Sequence, residues 1–168
     1  MPQQGQSPAD AAKAKQEAER QALENLMTAI RNEVAAMKTA GPGEAERMHL
    51  RMKDRCTDKR LPGDFKKKIL DQARAFERDA NMRATDQMLA AAVALAASEN
   101  MPLRTAKLNE GRKLFSKACS LGADEEFRKA TQRLIDTIMF TGGVYKPGAA
   151  TKAKPLDTAP KNPHNAKA

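Results

Sequence analysis

Tryptophan is absent from this chain of 168 residues, tyrosine occurs once and phenylalanine five times. β-Branched residues are also few, so the side chains that favour strands are mostly missing. That excludes a sheet protein of ordinary composition. It leaves an all-α chain whose apolar content is mainly Ala, Leu and Met, with a core of small, flexible side chains.

Histidine is nearly as scarce, at His49 and His164 only. A zinc site needs about four convergent ligands, and no such set assembles from the spacing. Carboxylate–histidine pairs of the di-iron type are missing too, so no metal or cofactor is expected. The serines, Ser7, Ser98, Ser116 and Ser120, sit in no nucleophile elbow and beside no histidine. No Walker loop or GxGxxG occurs, and Gly41-Pro42-Gly43 reads as a turn and not as a phosphate cradle. No catalytic residue is therefore nominated, and the chain is not expected to be an enzyme.

The start, MPQQGQSPADAAKAKQ, has no hydrophobic leader segment, which points to a cytoplasmic protein. The two cysteines, Cys56 and Cys119, should then be reduced, and each lies at an apolar helical spacing that implies burial. The longest stretch that is apolar almost all round, residues 88–97, is too short to cross a bilayer. It reads as a buried core segment, and a membrane partner is not expected.

Residues 64–100 organise what remains. They contain no Pro or Gly and are rich in strong helix formers. The expectation is one long central helix with an all-α bundle of about five helices around it. Its stripe is Phe65, Ile69, Ala73, Phe76, Ala80, Ala84, Gln87, Ala91 and Leu95, an eleven-residue type of spacing that keeps to one side of a straight helix. An ordinary core helix explains it; a homodimer seam through Ala73, Ala80 and Ala84 is the sharper alternative. The weakest point for helix continuity is Asp79-Ala80-Asn81.

Ser7-Pro8-Ala9-Asp10 is a helix start, with Ser at the cap and Pro in the first position. That helix should reach Thr39, exposed over its first half and amphipathic through Leu23, Leu26, Met27, Ile30, Val34 and Met37. A second helix is expected over 44–60. Leu61-Pro62-Gly63 stops it, and Asp64 caps the long helix. A fourth helix is expected over 103–120, with Gly111 placed for a close crossing or a bend and Gly122 as its stop. Asp124 should cap the fifth, which ends at Thr141-Gly142-Gly143. Domains follow: a disordered start at 1–7, a helical domain over 8–143, and a disordered Lys/Pro/Ala-rich tail over 144–168, of which Val144 and Tyr145 would fold back onto the bundle. No internal repeat is found.

The net charge is +9 and uneven. Residues 64–100 carry six bases and six acids, whereas 101–122 carry five and one, and 144–168 carry five and one. Such asymmetry suits an anionic partner as well as solubility. Three basic clusters stand out. Arg47, Arg51, Arg55 and Lys59 recur every four residues and so share a helix face. Lys66, Lys67 and Lys68 follow on the other side of the Leu61-Pro62-Gly63 turn, and oppose the local helix dipole. Arg104, Lys107, Arg112, Lys113 and Lys117 form the third. The first two are the candidate anion or nucleic-acid surface, although no exposed aromatics are there to stack on single strands. Methionine is enriched to nine residues, and Met48 and Met52 on a short basic helix are candidate contacts for a partner helix.

The composition supports a non-enzymatic helical interaction protein: a regulator, adaptor or assembly subunit that binds a protein partner or self-associates. The alternative is a nucleic-acid-binding protein using the basic surface around residues 47–68 and the basic tail.

Overall fold

The computed structural model describes residues 5, 7–95 and 99–140. The fold is the expected all-α bundle. Among the described residues it has five helices: α1 (Pro8–Ala36), α2 (Pro42–Arg55), α3 (Gly63–Leu95), α4 (Met101–Ser120) and α5 (Glu125–Phe140), with a 3-10 turn (Met37–Thr39) after α1. The central helix α3 has 33 residues, about 50 Å at 1.5 Å per residue. It is helical through Asp79, Ala80 and Asn81. The disorder expected over 144–168, the fold-back of Val144 and Tyr145 and the stop at 141–143 lie outside the described residues, as does most of 1–7.

The chain divides into two compact units, Met1–Arg74 and Ala75–Ala168, and α3 contributes to both. In the first unit, α1 begins as its sequence requires. Ser7 Oγ accepts the Asp10 N–H at 3.2 Å and donates to Asp10 Oδ2 at 2.8 Å, which satisfies an otherwise orphaned amide. Residues 8–22 are exposed on every side. From Leu23 onward the stripe packs, and Ile30 and Val34 are buried. The helix tightens to 3-10 geometry over its last three residues rather than staying α-helical to Thr39, which delivers Met37 fully buried into the core. The rest of that core is Ala40, Ala45, His49, Met52, Cys56, Leu61, Ile69 and Ala73.

Helix α2 starts two residues before the expected Glu44, because Pro42 fits the first helical position. It ends at Arg55 and not at 60. Thr57 Oγ1 donates to the Asp54 carbonyl at 2.6 Å, and Asp58 Oδ1 accepts the Arg60 N–H at 2.9 Å, so side chains take over backbone bonding in a turn. Helix α3 likewise starts early. Lys66 N–H already bonds the Pro62 carbonyl at 3.0 Å, and Asp64 lies inside the first turn instead of capping it.

In the second unit, α4 starts at Met101 and not at 103. Asn100 Oδ1 accepts the Leu103 N–H at 3.2 Å, and Pro102 sits where its missing N–H costs nothing. At the other end Gly122 has φ +91°, Ala123 N–H bonds the Ala118 carbonyl and Gly122 N–H bonds the Cys119 carbonyl. That is the Schellman pattern, with glycine in the left-handed position. Asp124 Oδ1 accepts the Phe127 N–H at 2.7 Å and caps α5, as expected. The core joins Leu89 and Ala92 of α3 to Leu108 of α4 and Ile135 and Ile138 of α5, with Val93, Phe115 and Leu134 packed against them. Gly111 is the close crossing: a Cβ there would lie 2.9 Å from Leu89 Cδ2.

The buried face of α3 departs from the expected stripe. Ile69, Ala73, Ala80 and Ala84 are buried, but Gln87 is exposed and Ala91 half-buried. Polar residues continue the buried row instead: Glu77, Asn81 and Thr85, one turn apart, lead to Leu89. They tolerate burial because their bonding is local. Asn81 Nδ2 donates to the Glu77 carbonyl at 2.8 Å and Thr85 Oγ1 to the Asn81 carbonyl at 2.7 Å, while the Glu77 carboxylate lies 3.5 Å from Lys117 Nζ. Nor is 88–95 buried all round. Ala90 and Ala94 are exposed, and alanine tolerates water. The homodimer seam is not available: Ala73, Ala80 and Ala84 are already covered by this chain.

Candidate interaction surfaces

The first unit carries the basic residues nominated from sequence, but it splits the row of four. Arg47 and Arg51 are exposed on α2. Arg55 is half-buried and turned to α1, where its guanidinium pairs with Glu33. Lys59 falls in the turn beyond α2, so it does not continue the helical face. Asp58 pairs with Arg60, at 2.7 Å. The side-chain and backbone hydrogen bonds from Arg60 hold the Asp58 carboxyl down at about 2, with Lys66 also favouring the charged form.

Lys66 is half-buried beside Cys56 and Asp58, whereas Lys67 and Lys68 project into solvent. The free Cys56 thiol is buried, and that burial pushes it above the usual thiol range despite Lys66. Arg31 of α1 lies over the Phe65 ring at 5.2 Å, a cation–π contact. The partner-helix assignment of Met48 and Met52 fails for Met52, which is fully buried in its own core, and leaves Met48 half-buried.

The third basic cluster is dispersed in the second unit. Arg104 is 4 % exposed and its guanidinium donates to the Ile138 carbonyl at 2.6 Å, complementing the C-terminal end of α5. Lys117 faces Glu77. Arg112 and Lys113 remain exposed.

A different feature appears between α4 and α5. An open valley of about 530 Å³ is lined by Phe115, Cys119, Arg128, Lys129, Gln132 and Arg133. Phe115 and Cys119 are one turn apart on α4 and make an apolar floor; the Phe115 ring lies 6.0 Å from that of Phe127. Arg128, Lys129 and Arg133 make a cationic rim on α5. Lys129 also holds Glu125 at 2.8 Å, an exposed pair of the weak, one-turn kind. Cys119 is only half-buried, contrary to the expectation that both thiols are in the core. Sequence reading missed the valley because residues 123–143 carry three bases and four acids, and a segment balance hides bases gathered on one face. The signal was the spacing: 128, 129, 132 and 133 recur at three to four residues and so lie together along α5.

Among the described residues, no group of three or more His, Cys, Asp or Glu is placed to hold a metal ion. No helix among them is long and apolar enough to cross a membrane. No protein-family model, curated protein or solved structure matches the chain.

Proposed function

We propose that this protein is a non-enzymatic helical interaction protein, a regulator, adaptor or assembly subunit, that binds a protein partner through its second unit. The observation that supports this reading is the α4–α5 valley, an open apolar floor with a charged rim. Interfaces of this kind draw affinity from a desolvated aromatic centre and specificity from the charges around it. The reading no longer rests on Met52 or on the alanines of α3, which the fold consumes.

Site-specific photo-crosslinking tests it. A photoreactive residue replaces Gln132 in the full chain, with a control at exposed Gln16 on α1. A discrete protein adduct is expected from position 132 and not from 16, and it should disappear in Arg128→Glu/Arg133→Glu. Adducts to nucleic acid alone, or none at all, refute the reading.

A second reading, nucleic-acid binding, draws on the exposed Arg47, Arg51, Lys59, Lys67 and Lys68 of the first unit. Its signature is affinity of the full chain for duplex DNA or RNA that falls steeply with salt and weakens in Arg51→Glu/Lys67→Glu/Lys68→Glu. Arg55 belongs outside that set, because Glu33 already neutralises it.

A further inference from the structure

We infer that the α4–α5 valley seats an amphipathic helix of a partner protein, with acidic side chains at one end and apolar anchors at the other. The inference rests on the interaction reading above and names the chemistry of the partner.

The valley is longer than its floor. Met139 stands eleven positions beyond Arg128, and Phe140 eleven beyond Lys129; eleven residues are about three turns of helix. Both therefore return to the side of α5 that carries the cationic rim. On α4, Met101 stands eighteen positions before Cys119, about five turns, and so lies in line with the floor. The hydrogen bond from Arg104 to the Ile138 carbonyl brings the start of α4 to the end of α5. Met101, Met139 and Phe140 thus gather at the end of the valley opposite Arg128. They are conspicuously exposed for apolar side chains: Met101 42 %, Met139 52 % and Phe140 78 %.

From Arg128 to Phe140 the face runs about 18 Å at 1.5 Å per residue, the length of a helix of three to four turns. Its character changes along that length. Arg128, Lys129 and Arg133 crown one end, the Phe115–Cys119 floor lies beside them, and flexible methionines with a phenylalanine occupy the other end. Two acids share the face: Glu125, paired with Lys129 at 2.8 Å, and Asp136, held by Gln132 Nε2 at 2.8 Å. Methionine side chains adapt to the shape of a partner helix, and a helix lying in a groove presents its anchors at three- and four-residue spacing. Charge complementarity selects glutamate or aspartate at the basic end and bulky apolar residues at the other.

The test uses the full chain and three synthetic helical peptides of fourteen residues. All share one leucine face; the polar positions nearest one end are Glu, Gln or Lys. Affinity is read by anisotropy, and the site by backbone amide shifts. The Glu peptide is expected to bind tenfold or more tighter than the Lys peptide, with the Gln peptide between. Shifts should cluster at Phe115, Cys119, Gln132 and Phe140. Arg128→Glu/Arg133→Glu should reverse the preference, and Met139→Ser/Phe140→Ser should weaken all three peptides about fivefold or more. These four side chains are exposed, so the variants should keep the parent's melting temperature within a few degrees.

Equal binding of the three peptides in the valley overturns the acidic assignment and leaves the interaction reading standing. No peptide binding, together with a protein adduct from position 132, also overturns the helix assignment alone. No binding and no adduct removes both. Amide shifts at the valley caused by an RNA oligonucleotide instead of the Glu peptide overturn the inference as well. So does occupation of the valley by residues 141–168 of the same chain.

Discussion

Single residues settle how the charge of this protein is used. Arg55, Arg104 and Lys117 were equivalent cations in the sequence. In the structure one pairs with Glu33, one bonds a helix-end carbonyl and one faces a buried carboxylate. Asp58 and Arg60 illustrate the exposed case. The folded-state value of Asp58 is depressed, so its contribution to stability is complete above the ordinary carboxyl range. It is lost as pH falls from about 4 toward the folded value of about 2. A carbon-detected titration should place the Asp58 carboxyl near 2 in the native protein. In Arg60→Ala it should move up toward the ordinary value of about 3.9; an unmoved midpoint would show that Arg60 does not hold it. Cys56 and Cys119 differ for a related reason: one thiol lies inside a core and the other opens onto a valley.

Elements show how local rules and packing divide the work. Ser7, Asn100, Asp124 and Gly122 act at helix ends, where hydrogen bonds depend on residues a few positions apart. Ser7, Asp124 and Gly122 were legible in the sequence; the Asn100 cap was not, since α4 was expected from 103. The face that each helix buries was less legible. Helix α3 buries Glu77, Asn81 and Thr85 where apolar periodicity pointed to Phe76 and Gln87, because local carbonyls and Lys117 satisfy the polar groups. Gly111 belongs at this scale too. It could have been a bend; its neighbours make it a contact. Gly111→Leu should destabilise the protein by about 1–3 kcal/mol, since added carbons must displace the Leu89 and Met88 side chains of α3. Gly111→Ala should cost less, because about 1 kcal/mol of helix propensity offsets the crowding. Urea denaturation of both variants measures the difference, and equal stabilities would mean that the crossing is loose.

At the scale of the whole molecule, burial is concentrated away from the start of the chain. Residues 8–22 of α1 are helical yet exposed throughout, while Ile30, Val34 and Met37 are locked in the first unit and Ile135 and Ile138 in the second. A helical segment of that length without packing is marginal in water. Hydrogen exchange should follow suit. Amides over 12–20 should exchange about 100-fold or more faster than those over 30–36 and 131–138. Uniform protection along α1 would show that its first half is covered by something outside this chain, such as a second copy.

Composition and short-range order determined much of this protein without any tertiary information. The scarcity of aromatic and β-branched residues decided the all-α class, and Pro, Gly and capping side chains decided the number of helices and some of their ends. Those effects act over a few residues, so they can be read in line. The α4–α5 valley, the burial of Met52 and Arg104, the pairing of Arg55 with Glu33 and the polar buried row of α3 were decided only by tertiary structure. Each depends on which side of a helix meets a neighbour, and that is set by contacts between residues such as Arg104 and Ile138 that are far apart in the chain.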